Sequence, residues 1–224
     1  MPKIVDHDAR REEIAQALWR VVRRDGIRAA SVRTIAAEAG WSAGAVRYYF
    51  PDQEGLLRFA MDLVSRRVGE RITALTARGS TKGTATTVAL RYLEEVLPLD
   101  AERMAEFDVW LAFMVQAQAE TGAGPLHDNV EAVHEDLRKL CAQLVHALSD
   151  AGSLRDGLDL RLEVERLHAL LDGLALHAAV QPGHTTPARL RRLLRLHIES
   201  LLSQNPLQTK EFASTERQVR RKPD

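Results

Sequence analysis

The sequence predicts an all-α protein of about nine helices. Three observations carry that expectation. Apolar residues recur at helical spacing in almost every patterned segment. No segment shows the apolar–polar alternation of a half-buried strand. Between the patterned segments lie Gly, Pro and cap-forming Ser and Thr residues, the usual stop and start signals of helices.

The elements follow in order. In "DARREEIAQALWRVVRRDG", Ile14, Leu18, Val21 and Val22 share one face, and Gly26 stops the run. "SVRTIAAEAG" opens on Ser31 as N-cap, turns Ile35, Ala36 and Ala39 inward and ends at Gly40. "SAGAVRYYF" is capped by Ser42 and stopped by Pro51. A longer helix runs from Asp52 to about Ala77 on a stripe of Leu56, Leu57, Ala60, Leu63, Val64 and Val68. "RGSTKGTAT" reads as a loop, with Thr84 or Thr86 capping a helix through Leu90, Leu93 and Val96 to Pro98. The aromatic helix "AERMAEFDVWLAFMVQAQA" is broken by "ETGAGP". A helix from about Pro125 to Ser149 follows, and two more close the fold at about 160–180 and 186–203. The tail 204–224 has scattered charge and little periodicity, and is expected to be disordered.

The totals bound the function classes. The 224 residues are 45% apolar, enough for a sizeable core. Thirty-one basic residues balance 31 acidic ones, but the balance is uneven along the chain. Residues 1–50 carry nine Lys/Arg against six Asp/Glu, whereas residues 51–203 carry 17 against 22. A basic head on an acidic body suits a chain that meets phosphate at one end. The lone Cys141 sits in an apolar run and reads as a small core hydrophobe, and no disulfide can form within the chain. The N-terminus lacks an apolar signal core and no stretch is long enough to span a membrane, so a cytoplasmic protein is expected. Neither a cofactor nor a metal is expected: His127, Glu131, His134 and Glu135 fall at helical spacing but read as a solvated face.

The stretch "GWSAG" (Gly40–Gly44) fits two machines. It matches the G-x-S-x-G nucleophile elbow, with Ser42 as the attacking group. That elbow needs a strand before the serine, and "RTIAAEA" is alanine-rich and helix-periodic. A helix-turn-helix corner explains more positions. Ala36 allows close helix approach, Gly40 can take positive φ in the turn, and Val46 anchors the second helix. Ser42 is then a cap and not a nucleophile.

With these residues in place, "GIRAASVRTIAAEAGWSAGAVRYYFPDQEGLLRFAM" resembles the DNA-binding domain of the tetracycline-repressor-type (TetR) family of bacterial transcriptional regulators. The resemblance covers about residues 10–62. The remainder agrees with the family's regulatory domain only in length and helical character. The resemblance implies a helix-turn-helix domain over 1–51 and a helical regulatory and dimerisation domain over 52–203. It implies a ligand-responsive dimeric repressor that a small molecule releases from double-stranded operator DNA. A small all-helical enzyme or carrier using an inner cavity is the alternative. Two departures stand out: Arg47 replaces a common Tyr, and Gln53 replaces a Lys that meets the DNA backbone in the family.

Candidate DNA contacts are Arg33, Ser42, Ala43, Gly44, Ala45, Arg47, Tyr48, Tyr49 and Gln53. The small residues admit the helix deep into a major groove, and Arg47 brings a bidentate-capable fork. The Arg pairs at 10–11 and 23–24 read as solvated helix faces. Phe107, Trp110, Phe113, Met114 and Gln118 lie at helical spacing, and with His177 they are candidates for an effector pocket. For the dimer interface, the stripes of the last two helices are the candidates: Leu167, Leu170, Leu171 and Leu174, then Leu190, Leu194, His197, Ile198 and Leu201.

Overall fold

Side-chain caps begin most of the helices. In this computed structural model, which describes residues 6–77, 83–119 and 124–203, Asp6 accepts from the Asp8 and Ala9 amides to start α1 (His7–Asp25). Ser31 starts α2 (Val32–Ala39) through a reciprocal capping box with Thr34. Ser42 starts α3 (Ala43–Tyr49) by accepting from the Ala45 amide at 3.0 Å. Then come α4 (Gln53–Ala77) and α5 (Ala85–Glu94), the latter capped by Thr84. Next are α6 (Ala101–Ala119), α7 (Pro125–Asp150), α8 (Leu160–Val180, capped by Asp159) and α9 (Pro187–Leu201, capped by Thr186). A 3-10 turn, Ile27–Ala29, joins α1 to α2. Among the described residues no strand forms, only an isolated bridge between Leu154 and Leu202. No helix among them is long and apolar enough to cross a membrane. The tail 204–224, expected to be disordered, lies outside the described residues, as does part of the "RGSTKG" loop.

Packing groups the chain into two compact units. One holds the residues up to Gly69 with Asp100–Glu135, and the other holds Glu70–Leu99 with the residues from Asp136 onward. The helix-turn-helix helices therefore do not stand apart at Pro51. The beginning of α4 and all of α6 share their core, because α6 buries Val109 and Phe113 in the same cluster as Ile14, Leu18, Ile35, Val46 and Leu56.

Polar ties reinforce that first unit. The Trp19 indole donates to the Ala60 carbonyl at 3.1 Å, and Arg67 lies 4.8 Å over its ring. Arg67 also pairs with Glu102 of α6 at 3.1 Å, and the buried Glu106 lies 3.9 Å from the same guanidinium. The Phe59 ring sits between Arg11 at 4.4 Å and Arg66 at 4.9 Å, and Arg11 also covers Phe50. Glu38 of α2 receives both Arg24 and Arg20, each at 2.7 Å. Their hydrogen bonds, Arg24's first, hold its carboxyl below the usual range. Arg23 meets Asp108 at 3.1 Å. The arginine pairs at 10–11 and 23–24 are thus not simply solvated faces. Each has an aromatic or acidic partner that sequence distance concealed.

In the second unit, Cys141, Val145 and Leu148 of α7 are buried, as are Val164, Leu167, Leu171, Leu174 and Ala178 of α8. From α9 come Leu190, Leu194, Ile198 and Leu201. Burial pushes the Cys141 thiol up to about 12, with the Asp172 carboxylate adding to the effect, so it behaves as a core hydrophobe. The stripes expected at a dimer interface are corrected by this arrangement. Leu167, Leu171, Leu174, Leu190, Leu194, Ile198 and Leu201 are the chain's own core, because each helix turns its more regular apolar face inward. Leu170 and His197 are half-buried. The large apolar side chains that α8 and α9 expose are Leu162, Leu176, Val180, Leu193 and Leu196.

Candidate nucleic-acid interface

The α2–α3 corner depends on one backbone conformation. Gly40 adopts φ 71° and ψ 27°, the left-handed region. There its amide donates to Ala37, and the Trp41 amide reaches back to the Ala36 carbonyl at 2.9 Å. A Cβ on Gly40 would meet nothing within 4 Å, so the requirement is conformational and not steric. From this turn α3 leaves with Val46 fully buried as its root.

What α3 presents follows from that root. Gly44 and Arg47 are exposed, Tyr48 is 71% exposed, and Ala43 and Ala45 are partly so. A Cβ at Gly44 would come no nearer than 3.9 Å to Ser42 Oγ, an ordinary contact. Nothing inside the protein demands a glycine there. Arg33 is exposed in the first turn of α2. Tyr49 is half-buried, its ring edge-on to Trp41 at 5.6 Å and to Tyr48 at 5.1 Å. Ser42 stays exposed while its oxygen caps α3. The residue before it ends a helix-turn-helix corner and not a strand, so the geometry is that of a cap.

Gln53, expected to contact DNA, is exposed at the start of α4. Its amide donates to the Ala30 carbonyl at 2.8 Å, tying the start of α4 to the chain entering α2. The side chain thus braces the head and keeps its second N–H for a phosphate.

Three residues of α1 join this surface without having been expected there. His7 lies 6.0 Å from the Tyr48 ring and 5.5 Å from that of Tyr49. Arg10 and Glu13 reach Trp41. An open concavity is lined by Arg10, Gly40, Trp41, Ser42, Ala45 and Tyr49. No local pattern relates positions some thirty residues apart. The signal that was present is chemical: a tryptophan in the turn, whose indole N–H calls for an acceptor.

The effector candidates separate into two faces of α6. Glu106, Val109, Phe113 and Ala117 are buried, and Phe113 is fully enclosed in the core. That corrects Phe113 from pocket wall to packing residue. Phe107, Trp110 and Met114 are half-buried and Gln118 is exposed. The Phe107 and Trp110 rings lie 5.5 Å apart, and the buried Trp110 indole N–H has no hydrogen-bond partner among the described residues. His177 is exposed on α8.

Comparison with known proteins bears on this geometry. Residues 14–59 match the family described as "Bacterial regulatory proteins, tetR family". Residues 85–203 match "BetI-type transcriptional repressor, C-terminal". The chain is 37% identical over 209 residues to the HTH-type transcriptional regulator PksA of Bacillus subtilis, covering 93% of this chain and 98% of that protein. It is 29% identical to BetI of Burkholderia thailandensis, covering 91% and 98%. Among solved structures, a transcriptional regulator from Rhodococcus sp. Rha1 is similar, with TM-score 0.71, 27% identity and coverage of 85% and 95%. A putative regulator from Saccharomonospora viridis, solved with choline, shares the fold at TM-score 0.74 and 23% identity, covering 88% and 99%.

Proposed function

This chain belongs to the tetR family of bacterial regulatory proteins, and from that premise we propose how its own residues read DNA, pair with a second copy and answer a small molecule. It is a ligand-responsive, DNA-binding transcriptional regulator of the repressor type and not an enzyme. In our reading α3 enters a major groove with Ala43, Gly44 and Ala45 against the base edges. Arg47 reads a guanine or clamps a phosphate from the same helix, and Tyr48 and Arg33 meet the backbone. Tyr49 packs on Trp41 and offers only its hydroxyl. The observation that carries this is Gly44: an exposed helical glycine that nothing inside the protein requires.

A regulator of this kind reads two half-sites about one helical turn apart, so two copies must pair. We assign the pairing surface to the exposed Leu162, Leu176 and Val180 of α8 with Leu193 and Leu196 of α9. Half-buried Leu170 and His197 stand at its margin. We place the effector against the half-buried face of α6, on Phe107, Trp110 and Met114, with Gln118 nearby. An aromatic pair suits an apolar or cationic ligand, and the unpartnered Trp110 N–H suits one with an acceptor.

The test is selection of duplexes from a random-sequence pool by the full-length protein, followed by gel retardation. A single enriched palindromic motif, bound in a salt-dependent manner, is expected. Enrichment of no sequence over the starting pool would sink the reading.

A further inference from the structure

Two side chains of α1 converge on the turn tryptophan. Glu13 accepts from Arg10 Nη1 through Oε2 at 2.8 Å, and from the Trp41 indole Nε1 through Oε1 at 3.3 Å. The Arg10 guanidinium carbon lies 5.3 Å from the Trp41 ring centroid. One carboxylate thus fixes both the cation and the ring on which it stacks.

Stability does not account for the arrangement. The Arg10 and Glu13 side chains are 42% and 43% exposed, a setting in which an ion pair contributes little. Its physical effect is on geometry, since a long side chain with many rotamers is held in one of them. The held cation opens on the concavity it shares with Trp41, Ala45 and Tyr49, beside α3. Its Nε and Nη2 make no hydrogen bond among the described residues.

We propose that Arg10 is a DNA-backbone contact, a guanidinium pre-set by Glu13 and Trp41 to grip one phosphate flanking the groove that α3 enters. The inference rests on the DNA-reading surface assigned above and extends it onto α1. Phosphate is the chemistry that fits. The outer edge of a guanidinium offers two parallel N–H groups matched to two phosphate oxygens, and stacking on an indole leaves that edge open. Pre-setting lowers the ordering loss that a free arginine would meet on binding. Glu13, whose two oxygens are already taken by Arg10 and Trp41, acts as a positioning residue and touches no DNA.

The variants Arg10→Met and Arg10→Lys test this with two duplexes: one that the wild-type protein selects from a random pool, and one of random sequence. Methionine keeps an unbranched apolar stem on the indole without charge. Affinity for both duplexes is expected to fall by a similar factor, about tenfold, the scale of a charged hydrogen bond. The slope of log K against log salt should shrink by about 0.9 for each Arg10 that meets a phosphate. Lysine keeps the charge without the fork, so it should restore the slope and only part of the affinity. An unchanged slope in Arg10→Met overturns the proposal, whether affinity holds or falls, because loss without a slope change means that Arg10 acts only by packing on Trp41. Thermal unfolding of both variants should match wild type. Wild-type protein that enriches no duplex would instead remove the DNA-reading surface itself, a different failure.

Discussion

At the scale of single residues, position in the fold decides role more than residue type does. Gly44 lowers the helix propensity of α3, and Ala there should stabilise the isolated fold by up to ~1 kcal/mol. If the glycine is kept for close approach to DNA, Gly44→Ala should raise the melting temperature yet weaken binding to the selected duplex. A variant that is both more stable and binds equally well would take Gly44 off the surface. Arg47→Ala should weaken binding by ~1–3 kcal/mol and leave folding untouched, since the side chain is exposed. An unaltered titration would remove Arg47. His197 carries a prediction of another kind. Burial lowers its pKa from the ordinary 6.5, Arg166 lowers it further, and Glu163 opposes them. Its Nε2 is buried without a hydrogen-bond partner among the described residues. The folded state therefore favours neutral imidazole, and the unfolded chain takes up the proton first. The associated stability is complete above 6.5 and is lost as pH falls through the lowered folded value. His197→Phe should flatten that part of the stability–pH curve in urea titrations. A curve as steep as wild type would show that other groups cause it.

At the scale of elements, local signals and packing direction part company. The starts of α2, α3 and α5 were legible because Ser31, Ser42 and Thr84 cap by hydrogen bonds to residues three positions on. The Gly40 turn was legible for the same reason: its conformation is a property of one residue. Which face of a helix turns inward is not local. Stripes on α8 and α9 were visible as leucine spacing, yet both helices carry more leucine than one face holds, and only the three-dimensional neighbours show that the regular stripe is core. The aromatic face of α6 was ambiguous in the same way. Phe113, Trp110 and Met114 share a sequence pattern, but Phe113 is enclosed and the others are half-buried. The two roles separate experimentally. Phe113→Ala should destabilise by ~3–5 kcal/mol as a core truncation. Trp110→Phe removes only the indole N–H and part of the ring, so it should leave the melting temperature near wild type while altering the response of DNA binding to effectors. A Trp110→Phe protein that every active compound releases from DNA as before would move the effector site elsewhere.

At the scale of the whole molecule, the proposed function requires joining two copies, and the surface assigned to this is where sequence pattern is least informative. The exposed Leu162, Leu176, Val180, Leu193 and Leu196 interrupt otherwise charged faces of α8 and α9. Scattered exposed leucines are ordinary on a monomer, so their meaning comes from the need for two half-sites and not from apolarity alone. The distinction between core and interface makes a sharp test. Leu194 is fully buried, and Leu194→Ala should cost ~2–5 kcal/mol of stability in either oligomeric state. Leu196 is 53% exposed, so Leu196→Glu should leave a single chain folded. Across a two-fold axis, however, the same substitution acts twice, desolvating two like charges in one contact. Sedimentation should then show a folded monomer at concentrations where the wild type is a dimer. Binding to the palindromic duplex should collapse towards the affinity of one half-site, because the second recognition helix no longer arrives at an effective concentration set by the first. The double variant Leu193→Glu/Leu196→Glu should deepen the effect without unfolding the chain. Should both proteins sediment as dimers and bind the palindrome as tightly as wild type, these leucines lie outside the contact, and the pairing surface must be sought on other helices.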